Sequence, residues 1–203
     1  MTQLILASSS PYRKALLENI GIHVDTVSPD IDESPRLRES PTVLSKRLAE
    51  QKAAKVSAAH PDAIVIGSDQ VAMLNIDNTM QLLGKPGSAE NALKQLMLCQ
   101  GQTVHFYTAL SLRCDSKNLS CTEIEETIVT FKTLRKEKLI AYIEKEQPLD
   151  CAGSFKCEGL GVLLFDSISS RDPNALIGLP LILLNTMLYE IFGVDLLTVA
   201  TQP

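Results

Sequence analysis

The sequence predicts an α/β fold, and three observations carry that prediction. Short apolar runs bounded by turn residues alternate with stretches of helical periodicity along the chain. Ser10-Pro11 and Ser40-Pro41 each read as a helix cap followed by the residue best suited to a first turn. No internal repeat and no low-complexity linker breaks the pattern over 203 residues, so a single domain spanning 1–203 is expected.

The elements follow in order. Residues 4–7 (LILA) read as a short buried strand. A helix starts after Ser10 and ends at Gly21, with Tyr12, Leu16 and Ile20 on one row, and a strand is expected over 23–27. Residues 29–41 are polar and carry three prolines, which predicts an excursion or lid. The helix capped by Ser40 should run to about residue 58. Residues 63–67 read as an apolar strand that stops at Ser68-Asp69-Gln70, and 71–74 with 80–83 flank a turn at Asn75-Ile76-Asp77-Asn78. Ser88 caps a helix ending near Gly101. Runs at 104–113 and 122–133 predict an antiparallel ribbon, 134–146 a helix that Gln147-Pro148 breaks, 162–165 a strand after a glycine-rich loop, and 180–192 the last helix, closed by Gly193.

Charge and cysteine usage narrow the function classes. With 19 Lys and Arg against 24 Asp and Glu the formal charge is −5, which argues against a nucleic-acid partner but leaves room for a small phosphorylated ligand. No apolar stretch approaches the roughly 20 residues that a spanning helix needs, and the first residues lack the pattern of a secretory signal. Five cysteines without a CxxC pair fit reduced thiols and a cytoplasmic protein. His23, His60 and His105 stand apart, which speaks against zinc.

Several residues carry candidate chemistry, each beside a plainer reading. Ser8-Ser9-Ser10-Pro11-Tyr12-Arg13 joins a buried strand to a helix start, where free N–H groups, hydroxyls and the Arg13 guanidinium suit a phosphate; the plainer reading is a capped helix. Lys52 falls on the row Leu44, Leu48, Lys52, Val56, either snorkelling from the core edge or facing a ligand phosphate. Asp69 at the end of an apolar strand is a reactive carboxylate or the cap of the next turn. Asp32, Glu33 and Asp69 together offer oxygen ligands for a divalent cation, and Gly84-Lys85-Pro86 adds a second lysine. Lysines, an arginine and carboxylates in this combination suit phosphoanhydride chemistry. Neither a Walker loop nor a GxGxxG is present.

These residues lie in motifs that resemble the Maf-like nucleoside triphosphate pyrophosphatases: LILASSSPYRKALLENIGI, DIDES, AEQKA, IVIGSDQV, LGKP, FYTAL, CAGSFKCEG and RDPNALIGLP, in order over nearly the whole chain. The resemblance implies an elongated α/β fold with a mixed central sheet flanked by helices and two lobes with a cleft between them. It implies hydrolysis of a nucleoside triphosphate between the α- and β-phosphates with Mg²⁺ or Mn²⁺, and a homodimer. It places Asp69 as proton acceptor, with Lys52 and Lys85 as catalytic cations. Ser8 and Arg13 fall around the phosphates, and Glu33 joins Asp69 at the metal. Tyr12, Gln70 and Glu158 fall where base preference is set. The commoner pattern, SxSPRR with a later Gln, goes with dTTP and UTP; the tyrosine, SDQ and FKCEG here are similar to the subgroup acting on 7-methyl-GTP. The alternatives are a dTTP or UTP pyrophosphatase of the same family and a non-enzymatic nucleotide-binding regulator of cell division.

Overall fold

A computed structural model describes residues 3–77 and 79–201. The strands are β1 (Leu4–Ala7), β2 (Asp25–Thr26), β3 (Ile64–Ile76), β4 (Thr79–Leu83), β5 (Thr103–Cys114), β6 (Leu119–Phe131) and β7 (Phe165–Ser170). The helices are α1 (Pro11–Asn19), α2 (Pro41–Ser57), α3 (Ala89–Cys99), α4 (Lys136–Glu146), α5 (Leu181–Phe192) and α6 (Leu196–Thr201). All seven strands join one sheet in the order β2-β1-β3-β5-β6-β7, with β4 paired to β3. The sheet is mixed: β1 runs parallel to β2 and β3, whereas β3–β4 and β6–β7 are antiparallel. The chain divides into two compact units. One comprises residues up to Asp69, Thr108–Glu125 and everything from Asp172; the other comprises Gln70–Tyr107 and Glu126–Arg171.

In the first unit, period-two alternation sorts the strand residues onto two covered faces. Leu6, Ile64 and Ile66 enter a core with Leu16, Leu17, Leu184 and Leu188, contributed by α1 and α5. Ile5, Ala7 and Val65 point the other way, to Ala53 and Val56 of α2. The register pairs Ile5 with Val65 and Ala7 with Gly67, so this parity continues down β3. Gly67 falls on the α2 side, and a Cβ there would sit 2.3 Å from the Ala49 carbonyl oxygen and 2.8 Å from the Ala53 nitrogen. Only glycine allows helix and strand backbones to meet this closely.

The second unit is built on aromatic packing. Phe155 makes edge contacts with Phe106, Phe131 and Phe165, at centroid distances of 5.4, 5.9 and 4.8 Å. Helices α3 and α4 pack on each other.

Both Ser-Pro helix starts form as the sequence predicts. The Ser10 and Ser40 hydroxyls accept from the Arg13 and Val43 N–H groups, with proline in the first turn. Other expectations are corrected. The strand at 63–67 does not stop at Ser68-Asp69-Gln70; β3 continues to Ile76, because after leaving β1 at Gly67 it gains β4 from Ala72 onward. The hairpin turn is tighter than residues 75–78, since Asn75 and Ile76 stay in the ladder and Ile76 pairs with Thr79; Asn78 lies outside the described residues. The strand expected at 162–165 is instead a 3₁₀ segment, Leu160–Leu164. The Gly159 and Gly161 N–H groups both donate to the Lys156 carbonyl, which winds the chain. The strand starts at Phe165 and uses the polar run DSISS, mostly exposed along the sheet edge, so no apolar alternation announced it. The strand expected at 23–27 shrinks to two residues. Helix α6 was not foreseen; its start is fixed by the Asn185 side chain accepting from the Leu196 N–H at 2.8 Å. On the Tyr12, Leu16, Ile20 row only Leu16 is buried.

Candidate active site

The site grows from the contact of α2 with β3. Lys52 lies on the buried row of α2 with Leu44, Leu48 and Val56, and is 6% exposed. By strand parity Asp69 stands two residues after Gly67 on the same side of β3, so the close approach at Gly67 brings it under that row. Its Oδ1 accepts from Lys52 Nζ at 2.6 Å. Glu33, from the segment between β2 and α2, reaches the same ammonium, with Oε1 at 2.6 Å. Lys52 therefore does not snorkel to solvent: its charge is held between two carboxylates. Burial pushes the Asp69 carboxyl above the ordinary aspartate range, opposed by the nearby Lys52 charge and hydrogen bond and by Arg13.

The strand-to-helix turn supplies a second cation. Arg13, in the first turn of α1, donates from Nε to the Gly178 carbonyl at 2.7 Å and from Nη1 to Ser8 Oγ at 3.3 Å. Ser8 Oγ in turn accepts from the Ser10 N–H at 3.1 Å. Burial lowers the Arg13 pKa, while Asp69 and Glu33 lie within electrostatic reach and counter that. The Gly178 carbonyl also accepts from the buried Ser68 hydroxyl at 2.8 Å, which locks the acceptor that orients the guanidinium. Gly178 has φ +112°, and a Cβ there would meet Arg13 Nε at 3.1 Å. Asp172 holds the segment leading to Gly178 by accepting from the Asn174 and Ile182 N–H groups at 2.8 and 2.6 Å.

The donor set fits a hard divalent cation in part. The point that Glu33 Oε1 and Asp69 Oδ1 share is the Lys52 ammonium, so a divalent cation would be held by their other carboxylate oxygens, with water and phosphate oxygens completing its shell. Asp32, the third carboxylate the sequence offers, accepts from the Ser34 N–H at 2.9 Å through Oδ1. Among the described residues no group of three or more His, Cys, Asp or Glu is arranged to hold a metal.

A phosphate-suited turn, two converging carboxylates and a buried lysine now stand in one unit, and comparison with known proteins decides the family. Residues 3–191 match the family described as Maf-like protein. The chain belongs to the Maf family. It is 51% identical to the 7-methyl-GTP pyrophosphatase of Xanthomonas axonopodis pv. citri over 94% of this chain and 97% of that protein. It is 49% identical to the proteins of that name from Pseudoalteromonas translucida, over 96% and 94%, and Nitrosococcus oceani, over 92% and 92%. Among solved structures it is similar to the Staphylococcus aureus Ham1 protein with a TM-score of 0.41 and 15% identity, over 79% of this chain and 90% of that one.

The remaining candidate residues of this Maf chain lie as follows. Tyr12 is half-buried on α1, beside Arg13. Gln70 follows Asp69 along β3, half-buried, at the start of the second unit. Lys85 is exposed in the loop after β4. That loop is tied to α3 by Gln95 donating to the Gly84 carbonyl at 3.1 Å and Asn91 to the Pro86 carbonyl at 3.0 Å. Glu158 is exposed on the glycine loop, with Gly159 packed against the Glu146 carboxylate. Ser8, Arg13, Glu33, Lys52 and Asp69 are thus assembled in the first unit; Lys85 and Glu158 belong to two loops of the second. Sequence reasoning passed over Ser68, Gly178 and Asp172, although RDPNALIGLP was conspicuous as a motif without a role. It also passed over Arg47 and Glu39.

Proposed function

We propose that the chain is a nucleoside triphosphate pyrophosphatase acting on 7-methyl-GTP, releasing 7-methyl-GMP and pyrophosphate. The observation that carries the reading is the convergence of Asp69 and Glu33 on buried Lys52, with the Arg13 turn in electrostatic reach. Relatives near 50% identity over almost the full chain carry that activity in their names.

In the proposed reaction the triphosphate lies against the α1 turn. Ser8 and Arg13 donate to its oxygens, and Lys52 neutralises charge; the role of Lys85 as a second catalytic cation rests on the LGKP motif alone. Asp69 takes a proton from the attacking water as the water oxygen bonds to phosphorus. The bridging P–O bond between the α- and β-phosphates breaks, and pyrophosphate leaves with the electron pair. Lys52 favours the ionised form of Asp69 against burial and aims its carboxylate. Glu33 and Asp69 would hold Mg²⁺ or Mn²⁺, which supplies charge neutralisation on the phosphates when bound. The acidic charge and the five cysteines without a CxxC pair support a cytoplasmic setting. The working form proposed is a homodimer.

Base preference is assigned to Tyr12, Gln70 and Glu158. Methylation at N7 makes guanine cationic, so a pocket for it gains from a π face, worth about 0.5–2 kcal/mol with Tyr12. A carboxylate such as Glu158 accepts from the N1–H and N2–H edge and balances the charge. An arginine at position 12 would repel the cation. The test is pyrophosphate release over a panel of 7-methyl-GTP, GTP, dTTP, UTP and pseudouridine triphosphate. The highest kcat/KM is expected for 7-methyl-GTP, and Tyr12→Arg with Glu158→Gln should erode that preference toward pyrimidines. A preference for dTTP or UTP in the wild type overturns the substrate and keeps the chemistry; no turnover of any triphosphate returns the chain to a binding role.

A further inference from the structure

We propose that Arg47 is a positioning residue: it straps the segment between β2 and α2 onto α2 and thereby sets Glu33 on Lys52. Glu33 lies in a stretch without regular secondary structure, and its side chain is 48% exposed, yet its carboxylate meets Lys52 Nζ at 2.6 Å. A loop carboxylate in water has little reason to keep one position unless the backbone beside it is held.

The Arg47 guanidinium does that holding. Its Nε donates to Glu39 Oε1 at 2.6 Å and its Nη2 to Glu39 Oε2 at 2.8 Å, a bidentate fork. The same Nη2 donates at 3.1 Å to the carbonyl of Ser34, the residue directly after Glu33. Nη1 donates to Gln51 Oε1 at 3.1 Å, one turn further along α2 and adjacent to Lys52. Glu39 Oε2 also accepts from the Arg36 N–H at 2.9 Å, so one guanidinium closes residues 34–39 into a loop fastened at both ends. The side chains are 13% and 5% exposed, unlike an ordinary surface pair. The fork holds the Glu39 carboxyl down at about 2, so the strap stays ionised across the neutral range. Arg47 donates no hydrogen bond to Lys52 or Asp69 among the described residues, but its charge also lies within electrostatic reach of Asp69; Glu39→Gln keeps that charge and cuts the fork, so it isolates the strap from the charge effect.

The inference rests on the proposed function for what Glu33 does, and the experiment separates the two. Arg47→Met, Arg47→Lys and Glu39→Gln are compared with wild type by hydrogen–deuterium exchange and by steady-state hydrolysis of 7-methyl-GTP. Exchange is expected to rise over residues 30–39 in Arg47→Met and Glu39→Gln while residues 64–69 keep their protection. Turnover is expected to fall about 10- to 100-fold, as for a displaced catalytic group. Arg47→Lys should recover only part, because an ammonium cannot make the fork. Adding Glu39→Gln, which leaves the Arg47 charge in place, to Glu33→Gln should cost nothing further, since both act through one carboxylate. Unchanged exchange over 30–39, loosening spread evenly through β3, or losses that multiply in the double variant each overturn the strap. A wild-type chain inactive on every triphosphate removes the proposed function instead, and exchange over 30–39 then decides the strap by itself.

Discussion

Burial raises the Asp69 pKa, and the charge and hydrogen bond of Lys52 oppose that rise. Asp69→Asn preserves shape but removes the proton acceptor, so the fold should persist while kcat falls at least ~10²-fold. A well-folded variant turning over at the wild-type rate would exclude the role. Lys52→Met leaves Asp69 buried without its nearest cation. The Asp69 pKa, already raised in the native state, then rises further, and the ascending limb of the kcat–pH profile should move to higher pH. The stability effect has a defined sign. A carboxyl whose native pKa exceeds its unfolded value favours folding most below the unfolded value, and that advantage is lost as pH rises through the native pKa. Lys52→Met should therefore be destabilised at neutral pH, and the deficit should narrow on acidification through the raised Asp69 pKa. Urea titrations at several pH values check this, and a deficit independent of pH would count against the pairing.

At the scale of elements, the site depends on how closely α2 lies on β3. Gly67→Ala inserts a methyl into a gap with backbone on its far side, so neither partner can yield by rotating a side chain. Overpacking of this kind costs about 1–3 kcal/mol. The variant should show a lower urea midpoint, together with reduced kcat because Lys52 and Asp69 no longer meet at the same distance. If the midpoint falls while kcat is retained, the close packing serves stability alone.

For the whole molecule the governing quantity is charge. A chain of formal charge −5 that offers carboxylates to a triphosphate repels it unless cations intervene. Arg13 and Lys52 share their donors with protein groups, the first with Gly178 and Ser8 and the second with Asp69 and Glu33, so they offset only part of the triphosphate charge. Hydrolysis should accordingly stop in EDTA and return with Mg²⁺ or Mn²⁺. Isothermal titration of the protein with Mg²⁺ alone should lose its heat in Glu33→Gln. Full activity in chelator would refute the metal requirement.

The sequence alone determined the family, both Ser-Pro helix starts, and the row that turns Lys52 inward, because caps and periodicity are written in residues a few places apart. Even the parity that puts Asp69 on the side of Val65 and Gly67 follows from counting along one strand. What Lys52 faces did not follow: its ammonium meets Asp69 and Glu33, residues remote from it along the chain. The Arg13–Gly178 bond joins residues 165 apart and the Ser68–Gly178 bond residues 110 apart, so no local pattern encodes either. Strand β7 was hidden for a related reason: an edge strand buries little, and its polar run becomes a strand only through the hydrogen bonds that β6 offers it. Local signals decide where elements begin and which face is apolar; only the packed chain decides which distant groups complete one another's hydrogen bonds and charges.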